Sequence, residues 1–293
     1  MPFTFSHPAA VLPLLRAARP QGPLIASGLV AGSLAPDVPY FVDSLLPGAY
    51  AVGRLTHRAW AVPTLNVAIA AGVAAVWYGL GPRLGPGVER GLEQGLGHGL
   101  GREPAGRIAE PCAADWAQDA AWFAASAAVG AFTHVAWDEF THHGRFGERH
   151  IPALGHRIGG RMPVYQALQW ASSMAGLAVL GRAASRTPRA RDVVREVASA
   201  VSPAATALVG AATVVGAVHR ARRDRARRPE PFSGNDLVAS VSFGGGAGAA
   251  VGAVAAAAVG SGLRALAPRS LASAHPRLLT GGSPGTRRVG TRK

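Results

Sequence analysis

The sequence has 293 residues, of which 48% are hydrophobic and only 16% are charged, whereas soluble domains average roughly 25% charged residues. The formal net charge is +14, but the basic residues are arginines between apolar stretches, with Lys293 the only lysine, and no nucleic-acid recognition module accompanies them. These features exclude an ordinary soluble domain and argue against nucleic-acid binding, and the single Cys112 excludes an intramolecular disulfide and a cysteine-based zinc site.

The N-terminal region, residues 1–59, predicts a helical or re-entrant segment. Its apolar stretch is interrupted by Pro36 and Pro39, so it does not predict a straight span. We expect a short helix from about Ile25 to Leu34 and then a turn at Ala35-Pro36-Asp37. The start MPFTFSHPAA lacks the basic region of a cleavable signal peptide, and we expect it to be retained.

Residues 60–260 predict an all-α, polytopic membrane helix bundle with about five spans. A helix needs about 20 mostly apolar residues to cross a hydrocarbon core of roughly 30 Å. The windows that approach this length are Trp60–Leu80, Ala117–Trp137, Val164–Leu180, Val197–Val218 and Leu237–Val259. The third is short, and the fifth contains Gly244-Gly245-Gly246, which membrane helices tolerate where they pack closely.

The remaining segments predict loops and a tail. Gly81 to Pro111 is glycine-rich and predicts a flexible loop, and residues 261–293 form a basic tail for which we expect disorder from about Pro268. The densest arginine cluster lies between His219 and Asp236, which favours a cytoplasmic position for that loop. The basic stretch Arg182–Arg195 would then lie on the opposite face, so the orientation stays open.

The polar motif at the end of the second window is the strongest local signal for chemistry. His134, Asp138 and His142 recur every four residues, so on a helix they share one face within about 80° of arc. Imidazole nitrogen and carboxylate oxygen both bind zinc, and such a pair offers two ligands to one ion. The alternatives are a polar network between helices and exposure at the membrane interface.

Three earlier residues are candidate partners of this motif. The N-terminal region precedes the first span and the Asp138–Pro163 segment follows the second, so both emerge on the same side of the membrane. His7, Asp37 and His57 are therefore available as further ligands. Alternatively, His7 contacts a helix cap, Asp37 forms an Asx turn and His57 contacts lipid headgroups.

Five motifs carry a resemblance to a known family: MPFTFSHPAAVLPL, GSLAPDVPYF, LTHRAW, FTHVAWDEFTHHG and YQALQWASSMAGL. Together they resemble the bacterial membrane-protein family known as domain of unknown function 4184, which implies a membrane location and no established activity. The stretch GSLAPD followed by THR is also similar, more distantly, to inner-membrane metal-dependent hydrolases.

A second distant resemblance is to the zinc-dependent phospholipase C fold. There, early His, Asp and His ligands precede a His-x-x-x-Asp helix, in the order that His7, Asp37, His57 and then His134 with Asp138 show here. That fold ends its metal set with a later His-x-x-x-Glu pair, which this sequence lacks after His142. One or two ions are therefore expected.

The resemblances, together with the His/Asp motif, imply a metal-dependent hydrolase in the bacterial cytoplasmic membrane, with membrane lipids as partners and a phosphoester or lipid-linked substrate. A divalent ion, zinc or another, would lower the pKa of a bound water toward ~7. Arg58 is a candidate phosphate contact, and Asp37 is an alternative general base. The other hypothesis is a non-enzymatic membrane protein whose cluster is a structural metal or polar packing site. The candidate metal ligands are His7, Asp37, His57, His134, Asp138 and His142.

Overall fold

A computed structural model describes residues 3–15, 24–84, 113–186, 191–192, 195, 199, 201–227 and 232–266, and the fold of these residues is mostly helical. The α-helices are α1 Pro8–Leu15, α2 Ala26–Leu34, α3 Val38–Val42, α4 Tyr50–Thr56, α5 Leu65–Leu84, α6 Ala113–Thr141, α7 Phe146–His150, α8 Pro152–Gly155, α9 Val164–Arg186, α10 Pro203–Arg227 and α11 Gly234–Leu266. Short 3-10 turns lie at Thr4–Ser6, Ala35–Asp37 and Ala59–Ala61.

A small antiparallel hairpin separates α8 from α9. Its strands are β1 Arg157–Ile158 and β2 Met162–Pro163, with Arg157 opposite Pro163. Gly159 and Gly160 in the turn have φ values of 58° and 71°, which lie in the left-handed region that glycine adopts without steric cost. The segment between α6 and α9 therefore has local structure of its own.

The centre of the molecule is the packing of α2 against α6. Ala31 and Ala127 belong to its buried core, together with Ala35 and Ala70. A methyl group added at Gly32 or Gly130 would run into the backbone of the opposite helix, so only glycine allows this approach. The helix axes are held close enough for polar side chains at the ends of α2 and α6 to meet.

The C-terminal helices α10 and α11 form a second closely packed pair. The predicted glycine run serves this contact, because a methyl group at Gly244 would meet the backbone of Gly216. Gly246 faces the ring of Phe41, which joins the pair to α3. Small residues thus bring backbones together here as they do between membrane helices.

Two helices, α10 and the Gly234–Val259 part of α11, are long and apolar enough to cross a membrane. Only 6% of the most apolar window of α10 is buried, unlike the core helix of a soluble protein. The apolar part of α5, Leu65–Gly79, is shorter. The structure therefore contains two candidate spans among the described residues, and the prediction of about five is not borne out by length and apolarity alone.

Several local predictions can be compared directly. The predicted helix Ile25–Leu34 and its turn are confirmed, with the helix beginning at Ala26. The first window starts with a 3-10 turn, so α5 begins at Leu65 and not at Trp60. Most of the predicted glycine-rich loop and the whole stretch after residue 268 lie outside the described residues.

Candidate metal centre

Four buried side chains from three parts of the chain converge beside α6. Asp37 ends the 3-10 turn after α2, and His57 directly follows α4. His134 and Asp138 lie one turn apart on α6. All four are buried, with at most 3% of each residue exposed, and one ligand atom from each lies within 4.8 Å of the others.

Four of the six distances between these atoms are close to the edges of a tetrahedron around a metal ion, and the other two are within 4.8 Å. Nε2 of His57 lies 3.5 Å from Oδ1 of Asp37 and 3.2 Å from Oδ2 of Asp138. Nε2 of His134 lies 3.5 Å from each of the same two oxygens. Ligands at about 2.0 to 2.2 Å from a tetrahedral zinc ion are separated by about 3.3 to 3.6 Å. The group could therefore hold a metal ion without large rearrangement.

The opposite ring nitrogens of the two histidines contact backbone carbonyls. Nδ1 of His57 lies 2.7 Å from the carbonyl oxygen of Gly53, and Nδ1 of His134 lies 2.7 Å from that of Ser33. Because a carbonyl only accepts, each Nδ1 must carry a proton and donate it. In the neutral imidazole this leaves the Nε2 lone pair directed into the cluster, as in histidines that bind metals.

The converging atoms lack other partners within the described part of the chain. There, Nε2 of His57, Nε2 of His134, Oδ1 of Asp37 and Oδ2 of Asp138 are buried and have no hydrogen-bond partner. Buried polar atoms without partners cost free energy and are uncommon in native proteins. A cation between these four atoms would satisfy all of them at once.

The electrostatics also favour a cation. Burial acts to raise the pKa of Asp37, but the imidazoles of His134 and His57 hold it below its ordinary range. Burial acts to lower the pKa of His57, but the carboxylates of Asp138 and Asp37 outweigh this effect and raise it to about 9. Without an ion, a proton on His57 balances part of the buried negative charge, and a divalent ion would balance two carboxylates beside neutral histidines.

His7 and His142 flank the four-residue group on the side of Asp138. Nε2 of His7 lies 3.7 Å, and Nδ1 of His142 3.4 Å, from Oδ1 of Asp138. The His7 ring stacks on that of His134 with the ring centroids 3.7 Å apart. Burial and the nearby His134 imidazole lower the pKa of His7 to about 3, so its ring is neutral. Both predicted ligands thus lie next to the four-residue group. They approach Oδ1 of Asp138, whereas His57 and His134 approach Oδ2.

A small cavity opens beside these flanking histidines. Its free volume is about 10 Å³, the space of roughly one water molecule. The residues that line it are Phe3, His7, Trp137, Asp138, Thr141, His142, Gln169 and Ser173. The cavity provides room for one small ligand next to Asp138.

The predicted phosphate contact lies outside the cluster. Arg58 follows His57 directly but is exposed. Arg145 is the arginine that reaches the backbone there, with its guanidinium 3.4 Å from the carbonyl oxygen of His57 and 3.1 Å from Glu139. Arg145 was not singled out in the sequence because it lies in a polar segment with other basic residues.

Two further residues support the centre and were missed from the sequence. The Thr4 hydroxyl donates to Oδ2 of Asp37 at 2.6 Å, and the side-chain amide of Gln169 lies 2.6 Å from Nε2 of His142. Such partners orient ligands and hold their protonation state. A polar amide within the apolar helix α9 was the available signal for Gln169, whereas Thr4 gives no signal of its own.

Comparison with known proteins identifies the family. The family model described as a domain of unknown function (DUF4184) matches residues 1–258, which is most of the chain. The chain belongs to this family. No curated protein and no solved structure gives a significant match. The more distant resemblances, to metal-dependent hydrolases and to the phospholipase C fold, therefore have no support from these comparisons.

Proposed function

We propose that this protein is a membrane protein that binds a divalent metal ion through Asp37, His57, His134 and Asp138. The observation that carries the proposal is the convergence of four buried ligand atoms that have no hydrogen-bond partner among the described residues. Zinc fits best, because it accepts two imidazole nitrogens and two carboxylate oxygens in a tetrahedron. Manganese and iron are the alternatives, since mixed nitrogen and oxygen sets also suit them.

The proposal includes the five-span arrangement and a location in the bacterial cytoplasmic membrane. Besides the two candidate spans, the other long helices carry large apolar side chains on their surfaces. These side chains include Val76 and Trp77 on α5, Val129 and Phe132 on α6, and Met174 and Val179 on α9. Lipid would cover these surfaces, whereas water would make them costly.

Reporter fusions test this topology. With five spans, fusions after Pro20 and after Gly155 report the same compartment, because two spans separate them. Fusions at Arg186 and at Arg227 should report opposite compartments, because the α10 span lies between them. Opposite results at Pro20 and Gly155 would refute the five-span arrangement, because an odd number of spans would then separate the two positions.

Hydrolysis of a phosphoester or lipid-linked substrate is the second candidate function. A completed four-residue set favours a structural ion, since catalytic zinc keeps a position open for water. The specific observation that favours catalysis is the water-sized cavity between Asp138, His7 and His142. A water held there would lie next to the metal ligands, where the imidazoles of His7 and His142, which line the same cavity, could orient it.

The deciding experiment is elemental analysis of the detergent-purified full-length protein. We expect about one zinc or other divalent ion per chain in the wild type and a loss of it in His134→Ala and Asp138→Ala. His143→Ala is the matched control, because this neighbouring imidazole is exposed and pairs with Glu148. Equal metal content in all three variants would refute the ligand assignment. If the wild-type protein held no metal even after reconstitution with metal ions, the four residues would be interpreted as a polar packing network.

A separate assay tests hydrolysis. The metal-loaded protein is given phosphomonoesters, phosphodiesters and phospholipids, with His134→Ala as the inactive reference. Turnover that needs both the metal and His7 would support the hydrolase, and Arg58→Gln would then raise KM if this exposed arginine binds phosphate. A metal-loaded protein that turns over none of these substrates would favour the structural ion.

A further inference from the structure

A groove on the surface of α10 is lined by residues that the metal centre does not use. It is an open depression of about 620 Å³ along one face of α10, lined by Val214, Val215, Val218, His219, Arg222 and Arg223. This volume lies within the range of about 300 to 1,000 Å³ that small-molecule sites occupy. The groove is apolar at one end and cationic at the other.

The apolar end has no protein cover among the described residues. Val214, Val215 and Val218 are 62%, 67% and 43% exposed, respectively. The other side of α10 packs on α11, where the backbones of Gly216 and Gly244 meet. The valines therefore lie on the outer face of a candidate membrane span, where acyl chains would cover them.

The cationic end of the groove contains Arg223, which forms ion pairs within the protein, and Arg222, which does not pair with a described residue. Arg223 is bound to Asp43 at 2.7 Å and to Asp224 at 3.2 Å, and Arg220 contacts the same two carboxylates. The charges of these two arginines are thus balanced within the protein. Arg222 is exposed and forms no ion pair with any described residue.

His219 and Arg222 follow the valines along the same side of the helix. Three residues follow Val215 at the spacing of one helix face: Val218 three positions later, His219 four and Arg222 seven. Side chains at these intervals form one stripe along a helix. Moving along this stripe, the surface changes from hydrocarbon to cation within two helical turns. A phospholipid has the same order of chemistry, from acyl chain to phosphate.

We propose that this groove binds one anionic phospholipid of the surrounding bilayer. An acyl chain lies along the three valines, and the phosphate contacts Arg222 and His219 at the end of the span. The guanidinium supplies charge-assisted hydrogen bonds to phosphate oxygens. The occupant is a lipid and not free phosphate, because three of the six residues that line the groove are exposed valines.

The test measures lipid binding to the full-length protein in nanodiscs and by native mass spectrometry after detergent exchange. The lipids supplied are phosphatidylglycerol, which is anionic, and phosphatidylcholine, which is zwitterionic. We expect retained phosphatidylglycerol in the wild type and about fivefold weaker binding in Arg222→Gln, since one basic residue near anionic lipid contributes about 1 kcal/mol. Val215→Asn should weaken binding through the apolar end.

Arg186→Gln is the matched control, because Arg186 is an exposed arginine at the end of α9 and its loss changes the net charge equally. Equal effects of Arg222→Gln and Arg186→Gln would overturn the site and leave a general charge effect. Equal retention of phosphatidylcholine, or displacement of the bound lipid by millimolar inorganic phosphate, would also overturn it. So would a cross-link at residue 215 between two copies of the chain, which would assign the valines to a protein interface.

Metal content separates this inference from the proposed function. Arg222→Gln should retain the metal of the wild type, because Arg222 is not among the residues that approach the metal centre. A loss of lipid with unchanged metal supports the groove on its own, and loss of both would show a general defect and overturn the groove assignment.

Discussion

Replacement of Gly130 by alanine should disrupt the metal centre from a distance. Gly130 lies one turn before His134 on α6, and its backbone touches α2. The added methyl group would lie 2.8 Å from the backbone nitrogen of Ser33, whereas an ordinary contact is at least 3.4 Å. The helices must therefore separate by about 0.6 Å or more, since the carbonyl oxygen of Leu29 is still closer.

That separation exceeds what a metal site tolerates. Ligand distances in such sites vary by about ±0.2 Å, so a shift of 0.6 Å removes His134 as an effective ligand. A four-ligand zinc site contributes about 10 to 16 kcal/mol, or about 2.5 to 4 kcal/mol per ligand. We expect metal affinity to fall by about 10²- to 10³-fold, and crowding to lower the free energy of unfolding by about 1 to 3 kcal/mol.

The assay is a zinc titration of the purified protein against a competing chelator, with membrane insertion followed by fractionation. Gly72→Ala is the control, because a methyl group there meets nothing within 4 Å. Its affinity should equal that of the wild type, and its helix should gain about 0.5 to 1 kcal/mol. A Gly130→Ala protein that inserts normally and binds zinc with wild-type affinity would refute the reasoning.

The remaining predictions concern groups that support the centre or join it to α10. Thr4→Val removes the hydroxyl that donates to Asp37 and should weaken metal binding by about 10- to 100-fold in the same titration; unchanged affinity would contradict this role. Arg220→Gln leaves buried acceptors unpaired and should lower the free energy of unfolding by about 3 kcal/mol in a denaturing-detergent titration. Burial acts to raise the pKa of Asp43, but hydrogen bonds from Gly48 and Arg223 outweigh it and lower the pKa below the ordinary value. The ionised Asp43 therefore contributes fully to the free energy of unfolding above about pH 4, and this contribution is lost as the pH falls through the lowered pKa. Asp43→Asn should show a smaller acid loss of stability than the wild type, and identical pH profiles would contradict this.

Local sequence patterns were sufficient for the helical class, for the end of α2 and for part of the site. Proline positions predicted the end of α2 and the turn at Asp37, because proline restricts the backbone where it stands. The spacing of His134 and Asp138 predicted a shared helix face, since side chains four residues apart point the same way. These predictions rest on contacts within a few residues of each other.

Long-range contacts were harder to predict. All six candidate ligands lie close together, but only Asp37 and His57 join the His134–Asp138 pair in the compact group, with His7 and His142 on the far oxygen of Asp138. Spacing along the helix favoured His142 together with His134 and Asp138. Which earlier residues reach this pair depends on how closely α2 approaches α6, and the sequence does not show that distance. The carbonyl oxygens that orient the histidines have no signature in the sequence, since every residue has one.

The sequence by itself determined an apolar, helical protein with a metal-capable helix face, because composition and the helical repeat act locally. Only the tertiary structure decided which polar residues meet. Glycines let the α2 and α6 backbones touch, and this contact brings Asp37 to His134 across nearly a hundred positions of the chain. The paired arginines of α10 found their partners near Asp43 for the same reason: folding, and not spacing along the chain, places buried charges together.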